Sequence, residues 1–136
     1  MHGVDPVISP PLIDALREAA RATAGLELLL LFGSRARGEA GAASDWDFGY
    51  QATEDLDVAA FLATIVEVVG SDRVDLVDLR RASGLLRYRA ARDGQPIHEG
   101  RPGIADQFWL EAVRFWCDAV PILERGYDAV LAELKP

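Results

Sequence analysis

The residues best equipped for chemistry in this chain lie between Gly33 and Asp75. Gly33-Ser34 is followed, after ten intervening residues, by Asp45-Trp46-Asp47. In an extended strand, side chains two positions apart leave the same face, about 6–7 Å apart along the chain. Asp45 and Asp47 are therefore set to share a divalent cation, and a second cation can share one of them. Two such ions about 3.5–4 Å apart stabilise the entering and leaving oxygens of a phosphoryl displacement together. Magnesium suits these donors, because it binds through one or two carboxylates plus substrate phosphates and keeps several waters.

A metal pair of this kind needs phosphate oxygens held beside it. Gly33 has no side chain, so a phosphate can approach its backbone. Amides at the start of a helical turn after it would favour an anion. Ser34 adds a hydroxyl donor, and Arg35 or Arg37 brings charge to neutralise the phosphates. The Gly-Lys-Ser/Thr ending of a Walker A loop is missing. A third carboxylate should come from a neighbouring strand, and Asp75 in Val74-Asp75-Leu76-Val77 fits. An ionised Asp among apolar neighbours needs a partner, and a metal ion is an adequate one. Asp78 competes for the role, but strand alternation sends Asp75 and Asp78 to opposite faces.

The elements that must position these groups are readable from periodicity. Leu12, Ile13, Leu16, Ala19 and Ala20 recur at helical spacing over Pro11 to Ala24, with Gly25 as the stop. Leu26 to Phe32 is apolar but for Glu27, as expected of a strand buried on both faces. Gly33 to Ser44 reads as a loop with room for one helical turn. Asp45 to Gln51 alternates small or acidic residues with Trp46, Phe48 and Tyr50, the pattern of a strand. A helix is predicted over Leu56 to Val69, closed by Gly70, and a strand over Arg73 to Leu79. Ser83 caps a helix from Gly84 to Arg92, and Gln95 to Glu99 forms a brief strand. From Ile104 the pattern is helical, with a break or kink expected near Pro121. The order indicates an α/β fold with a small mixed β-sheet flanked by helices and a helical C-terminus. Residues 1–136 read as one domain, with 1–10 as a Pro-rich lead-in and 104–134 as the C-terminal helical segment.

Composition narrows the function classes. Twenty-two acidic against fourteen basic residues give a formal charge of −8. That repels a phosphate backbone and disfavours general nucleic-acid binding. A DNA-binding autoregulator is further disfavoured by the lack of a clear helix-turn-helix. The longest apolar run, Leu28 to Phe32, is far short of the roughly 20 residues of a membrane span. No signal-peptide pattern is seen, and the single cysteine, Cys117, allows no internal disulfide. A cytoplasmic protein is the expectation.

Taken together, Gly33-Ser34 with Asp45 and Asp47 at this spacing resembles the signature of the polymerase-beta-like nucleotidyltransferases. The short chain, the GSRARG run from Gly33 to Gly38 and VDLVDL from Val74 to Leu79 resemble the minimal nucleotidyltransferase (MNT) branch. Arg92-Asp93-Gly94, Pro96-Ile97 and the stretch from Phe108 to Asp118 are similar to MntA-type antitoxins. The resemblance runs from about Leu26 to the C-terminus. It implies a three-carboxylate, magnesium-dependent site at Asp45, Asp47 and Asp75, with ATP as substrate held by Gly33, Ser34 and Arg35. It also implies a partner, a HEPN-type ribonuclease toxin that receives AMP on a tyrosine. One departure is plain: the family usually has small aliphatic residues around the two aspartates, and this chain has Trp46, Phe48 and Tyr50. Altered packing behind the carboxylates is the expected consequence.

Two rival readings stand beside this one. A small-molecule nucleotidyltransferase of the aminoglycoside type is disfavoured because the chain has little beyond the core to build a second substrate pocket. A catalytically inactive antitoxin acting by binding alone is disfavoured by three retained acids. His98 is expected to be structural or solvent-facing, and Cys117 a buried helix residue. Phe108, Trp109, Phe115, Trp116 and Tyr127 supply either core or a surface for a partner or a second copy of the chain.

Overall fold

The computed structural model describes residues 8–38, 41 and 44–134, with side chains as far as residue 119. Most of the expected lead-in and the side chain of Tyr127 lie outside the described residues. The chain runs α1 (Pro10–Arg21), β1 (Leu26–Phe32), α2 (Gly33–Arg37), β2 (Trp46–Ala52), α3 (Val58–Val69), β3 (Val74–Asp78), α4 (Gly84–Asp93), β4 (Gln95–Glu99) and α5 (Ile104–Leu134). The four strands form one mixed sheet in the order β3-β2-β1-β4. Strand β1 pairs antiparallel with β2 and with β4, whereas β2 and β3 are parallel, joined through α3.

The apolar run of β1 is explained by its central place. Leu29 and Leu31 join one core cluster with Ile13, Leu16 and Ala20 of α1 and Phe61 and Ile65 of α3. Leu28, Leu30 and Phe32 join a second on the other face, with Ala90 of α4 and Ile104, Phe108 and Ala112 of α5. Burying side chains of this size contributes about 1.5–3 kcal/mol each. Strand β2 is sided. Trp46, Phe48 and Tyr50 all enter the α1/α3 core, and the Trp46 and Phe48 rings lie nearly parallel at 6.2 Å. Asp47, Gly49 and Gln51 must therefore face the α4/α5 side. At Gly49 an added Cβ would come within 2.7 Å of Leu79 Cδ2, so this glycine makes room for a fully buried leucine.

Local hydrogen bonding moved several boundaries from their expected places. Helix α1 stops at Arg21 rather than Ala24. The Thr23 hydroxyl donates back to the Ala19 carbonyl and its amide to Ala20, which turns the chain before Gly25. Helix α3 begins at Val58 rather than Leu56, because Asp57 Oδ1 accepts from the Ala60 amide. Ser83 caps α4 as expected, accepting from the Leu86 amide. The helical turn allowed for after Gly33 is α2. Helix α5 is continuous through Pro121 rather than broken there. A proline removes one intrahelical bond, and the Ala-, Leu- and Glu-rich sequence after it re-forms the ladder.

Helix α5 buries Ile104, Phe108 and Ala112, a stripe at four-residue spacing. Cys117 falls off that stripe and is exposed, which corrects the expectation of a buried helix residue. Trp116 stacks on Tyr88 of α4 at 5.1 Å, while Trp109 and Phe115 are about half exposed (47% and 52%) and so contribute surface rather than core. No helix among the described residues is long and apolar enough to cross a membrane.

Candidate active site

The antiparallel register between β1 and β2 places Phe32 opposite Asp47. Gly33, the next residue, leaves the strand with φ +75° and starts α2. A Cβ at Gly33 would overlap Asp47 Oδ2 and lie 3.0 Å from Asp47 Cγ, so the Asp47 carboxylate fills the space that glycine leaves open. On the other side, Asp47 pairs in register with Asp75 of the parallel neighbour β3. Register partners on adjoining strands share a face of the sheet. The carboxylate of Asp47 is thus set between the Gly33 turn and Asp75.

Asp45 precedes β2 by one residue and is more open, its side chain 59% exposed and 4.0 Å from Arg73 Nε. The Arg73 carbonyl accepts the Trp46 amide at 2.8 Å, tying the start of β2 to the start of β3. The electrostatics agree with the register. Partial burial pushes the Asp47 carboxyl above its usual 3.8, the charges of Asp75 and Asp45 push it further, and Arg37 opposes them. The charges of Asp75 and Asp45 therefore both reach the Asp47 carboxylate. Among the described residues, no three His, Cys, Asp or Glu side chains are gathered tightly enough to enclose a metal ion. What the fold provides is an Asp47–Asp75 pair with Asp45 beside it. These donors fit a divalent cation on the chemistry of the set: hard oxygen ligands whose mutual repulsion a cation would relieve.

Ser34 and Arg35 sit in the first turn of α2, whose leading amides have no acceptor within the helix. The Arg35 guanidinium donates from Nε and Nη2 to the Ser44 carbonyl at 3.2 and 2.8 Å and lies 4.1 Å over the Trp46 ring. It thereby grips the chain on both sides of Asp45. Arg37 pairs with Asp93 at 3.2 Å, and Asp93 is also forked by Arg92. The hydrogen bond from Arg92, reinforced by Arg37, holds the Asp93 carboxyl below its usual value. Asp93 thus anchors α2 to the end of α4.

Neither brace was singled out from sequence. The Arg92-Asp93-Gly94 run was noticed only as a likeness, and the Arg35 acceptor is a backbone carbonyl that leaves no residue-type signal. Asp78 lies opposite Tyr50, three positions along from the Asp75 pairing, and its carboxylate accepts from the Arg80 amide. It is not brought to the pair, as strand alternation implied. His98 sits on β4, at the far edge of the sheet from Asp75, where burial lowers its pKa.

The family described as "Polymerase beta, Nucleotidyltransferase" matches residues 15–102. A protein adenylyltransferase MntA from Aphanizomenon flos-aquae (strain 2012/KM1/D3) is 38% identical over an alignment spanning 61% of this chain and 61% of that relative, less than two thirds of its length. A solved toxin–antitoxin structure with AMP-PNP superposes with a TM-score of 0.71 at 25% identity, over 88% of this chain and 98% of that one. A solved complex of a tri-AMPylated HEPN toxin from Shewanella oneidensis with an MNT antitoxin superposes with a TM-score of 0.59 at 26% identity, over 89% and 93%.

Proposed function

This chain belongs to the polymerase beta nucleotidyltransferase family, and from that premise we propose that it transfers AMP from ATP to a tyrosine of a HEPN-type toxin, using magnesium held by Asp45, Asp47 and Asp75. The relative named a protein adenylyltransferase supports the reaction, and the similar complex with an AMPylated HEPN toxin supports the acceptor. The observation that carries the reading is the Asp47 carboxylate lodged against Gly33 and in register with Asp75. The same reading takes residues 1–136 as one minimal nucleotidyltransferase domain.

Bound magnesium, as two ions, supplies charge neutralisation on the triphosphate. Gly33 and Ser34 receive the phosphates at the start of α2, where a side chain at position 33 would collide with Asp47. Asp45, Asp47 and Asp75 would hold the metal, and Arg35 keeps Asp45 in place through Ser44 and Trp46. Asp75 takes the proton of the tyrosine hydroxyl. The hydroxyl oxygen bonds to the α-phosphorus, and the bond from that phosphorus to the bridging oxygen breaks. Diphosphate leaves with the electron pair. Positioning and charge neutralisation supply most of the acceleration in such a reaction.

The test is to incubate the chain with ATP, magnesium and a HEPN-type toxin, and to read the toxin by intact mass and tyrosine-resolved fragmentation. AMP mass on a tyrosine is expected, and it should vanish with Asp45→Asn and Asp47→Asn together. Modification at an undiminished rate in that double variant would refute the mechanism. Full toxin neutralisation by the same variant would favour inhibition by binding alone. AMP added to an aminoglycoside instead would move the acceptor to a small molecule.

A further inference from the structure

On the α4/α5 side of the sheet, away from the aspartates, lies a cavity of about 260 Å³ lined by Gln51, Arg80, Arg87, Arg101, Gln107 and Glu111 among others. Gln51 is four residues beyond Asp47 on the same face of β2, about 13 Å along the strand. Between them Leu79 packs over Gly49, so the two places are separated by a buried leucine. Three guanidinium groups around one small cavity stand out in a chain with a net charge of −8.

Their partners divide them. Arg80 donates to the Ala52 carbonyl and pairs with Glu27 at 3.0 Å, which offsets its charge. Arg101 donates to Gln107 Oε1 at 3.3 Å. Glu111, the one carboxylate of the lining among the described residues, accepts from Gln107 Nε2 at 3.2 Å. Among the described residues, one of the three cationic charges is left without a carboxylate. Arg87 is where the shortfall shows: its Nε is enclosed by protein and, among the described residues, has no hydrogen-bond partner. A buried N–H of a charged group left unpaired is strongly disfavoured, and such an atom signals a missing acceptor.

We propose that this cavity is a second anion site, taking a small phosphate-class oxyanion such as orthophosphate or diphosphate. The acceptor oxygens of such an ion match the fork geometry of guanidinium groups. The volume is below the range of drug-sized pockets, which suits an ion of this size rather than a whole nucleotide. Arg87, Arg101 and Gln51, all in its lining, are its donors. The proposal rests on this cavity alone and does not require the transfer reaction.

The experiment is calorimetric titration of orthophosphate, and separately diphosphate, into protein carrying Asp45→Asn and Asp47→Asn, with chelator present and ionic strength held constant with chloride. One saturable site is expected, at least about tenfold weaker after Arg87→Gln, from loss of a charge-assisted bond. Arg101→Gln, at an exposed position before α5, should weaken it as well and decides the matter if Arg87→Gln does not fold by circular dichroism. If neither anion gives saturable binding, or if both variants bind unchanged, the proposal fails. Because the aspartates are already removed, failure here leaves the proposed transfer reaction untouched.

Discussion

Replacing Gly33 with Ala tests whether the turn and the carboxylate form one device. Gly33 and Gly38 both have φ +75°, but an added Cβ at Gly38 meets nothing within 4 Å, whereas at Gly33 it runs into the Asp47 carboxylate. Gly38→Ala therefore carries only the backbone term, about 1–2 kcal/mol for an L-residue in the left-handed region. Gly33→Ala carries the same term plus the displacement of a half-buried carboxylate, about 1–2 kcal/mol more for off-rotamer strain and lost packing. In a chain of this length each kcal/mol lowers Tm by about 3–4 °C. Thermal unfolding should thus fall by about 3–8 °C for Gly38→Ala and about 6–16 °C for Gly33→Ala, with the difference reporting the contact. Displacing the Asp47 carboxylate by about 1 Å should also reduce the proposed AMP transfer roughly a hundredfold, with no such loss for Gly38→Ala. In an Asp47→Ala background the carboxylate is gone and only the Cβ, 3.2 Å away, remains, so the extra cost of Gly33→Ala over Gly38→Ala should shrink to roughly 0.5 kcal/mol. Equal Tm losses for the two glycines in the native background, or no relief in the Asp47→Ala background, would refute the reasoning.

Four further outcomes follow from the same geometry. In metal-free protein the Asp47 carboxyl, followed by carbon-detected NMR, should titrate above 3.8, and Asp75→Asn should lower its midpoint; no response to that change would remove Asp75 from the pair. Because the folded chain holds this proton more tightly than the unfolded chain, the stabilisation is full below 3.8 and is lost as pH rises through the folded value. Asp47→Asn should therefore raise Tm at neutral pH, with the gain shrinking on acidification, and a gain that does not depend on pH would contradict this. Arg35→Ala should lower stability by about 1–2 kcal/mol through loss of the Ser44 fork and the Trp46 stack, and Arg35→Lys should restore little, as read by chemical denaturation. Phe48→Ala should cost about 3–5 kcal/mol, a large part of the usual 5–15, because Phe48 is fully buried between β1 and α1/α3; a loss under 1 kcal/mol would mean the core is not packed as described.

What was legible in the sequence is what local pattern and tertiary position both specify. Leu26 to Phe32 could be read to the residue because a central strand has no polar face to disguise it. The sidedness of β2 was legible because Trp46, Phe48 and Tyr50 alternate with Asp47 and Gly49. Helix starts and stops were less so, since Asp57 and Thr23 set them through single hydrogen bonds while Leu56 and Gly25 carried the visible signal. Cys117 was misread because an apolar residue between Trp116 and Asp118 says nothing about which face of α5 reaches Ala112. The arginine cavity was beyond reach, because Gln51, Arg80, Arg87 and Arg101 come from four separate stretches that only the packing of α4 and α5 on the sheet brings together.

The spacing between Gly33-Ser34 and Asp45-Trp46-Asp47 has a physical content that a motif does not state. Strand β1 runs out at Phe32 and β2 returns antiparallel with Asp47 opposite it. The residues between must hold one turn of helix and then reverse the chain, and Arg35 secures that reversal by gripping Ser44. An added or deleted residue in the return need not disturb the helix, but a one-residue slip of register would move Asp47 to the other face of the sheet and a core aromatic to the site. Gly33 is then fixed twice over, by the positive φ with which the chain leaves β1 and by the carboxylate that occupies its missing Cβ. The motif is therefore a hairpin register written in sequence, and its glycine is as much a packing partner of the aspartate as the place proposed for phosphate.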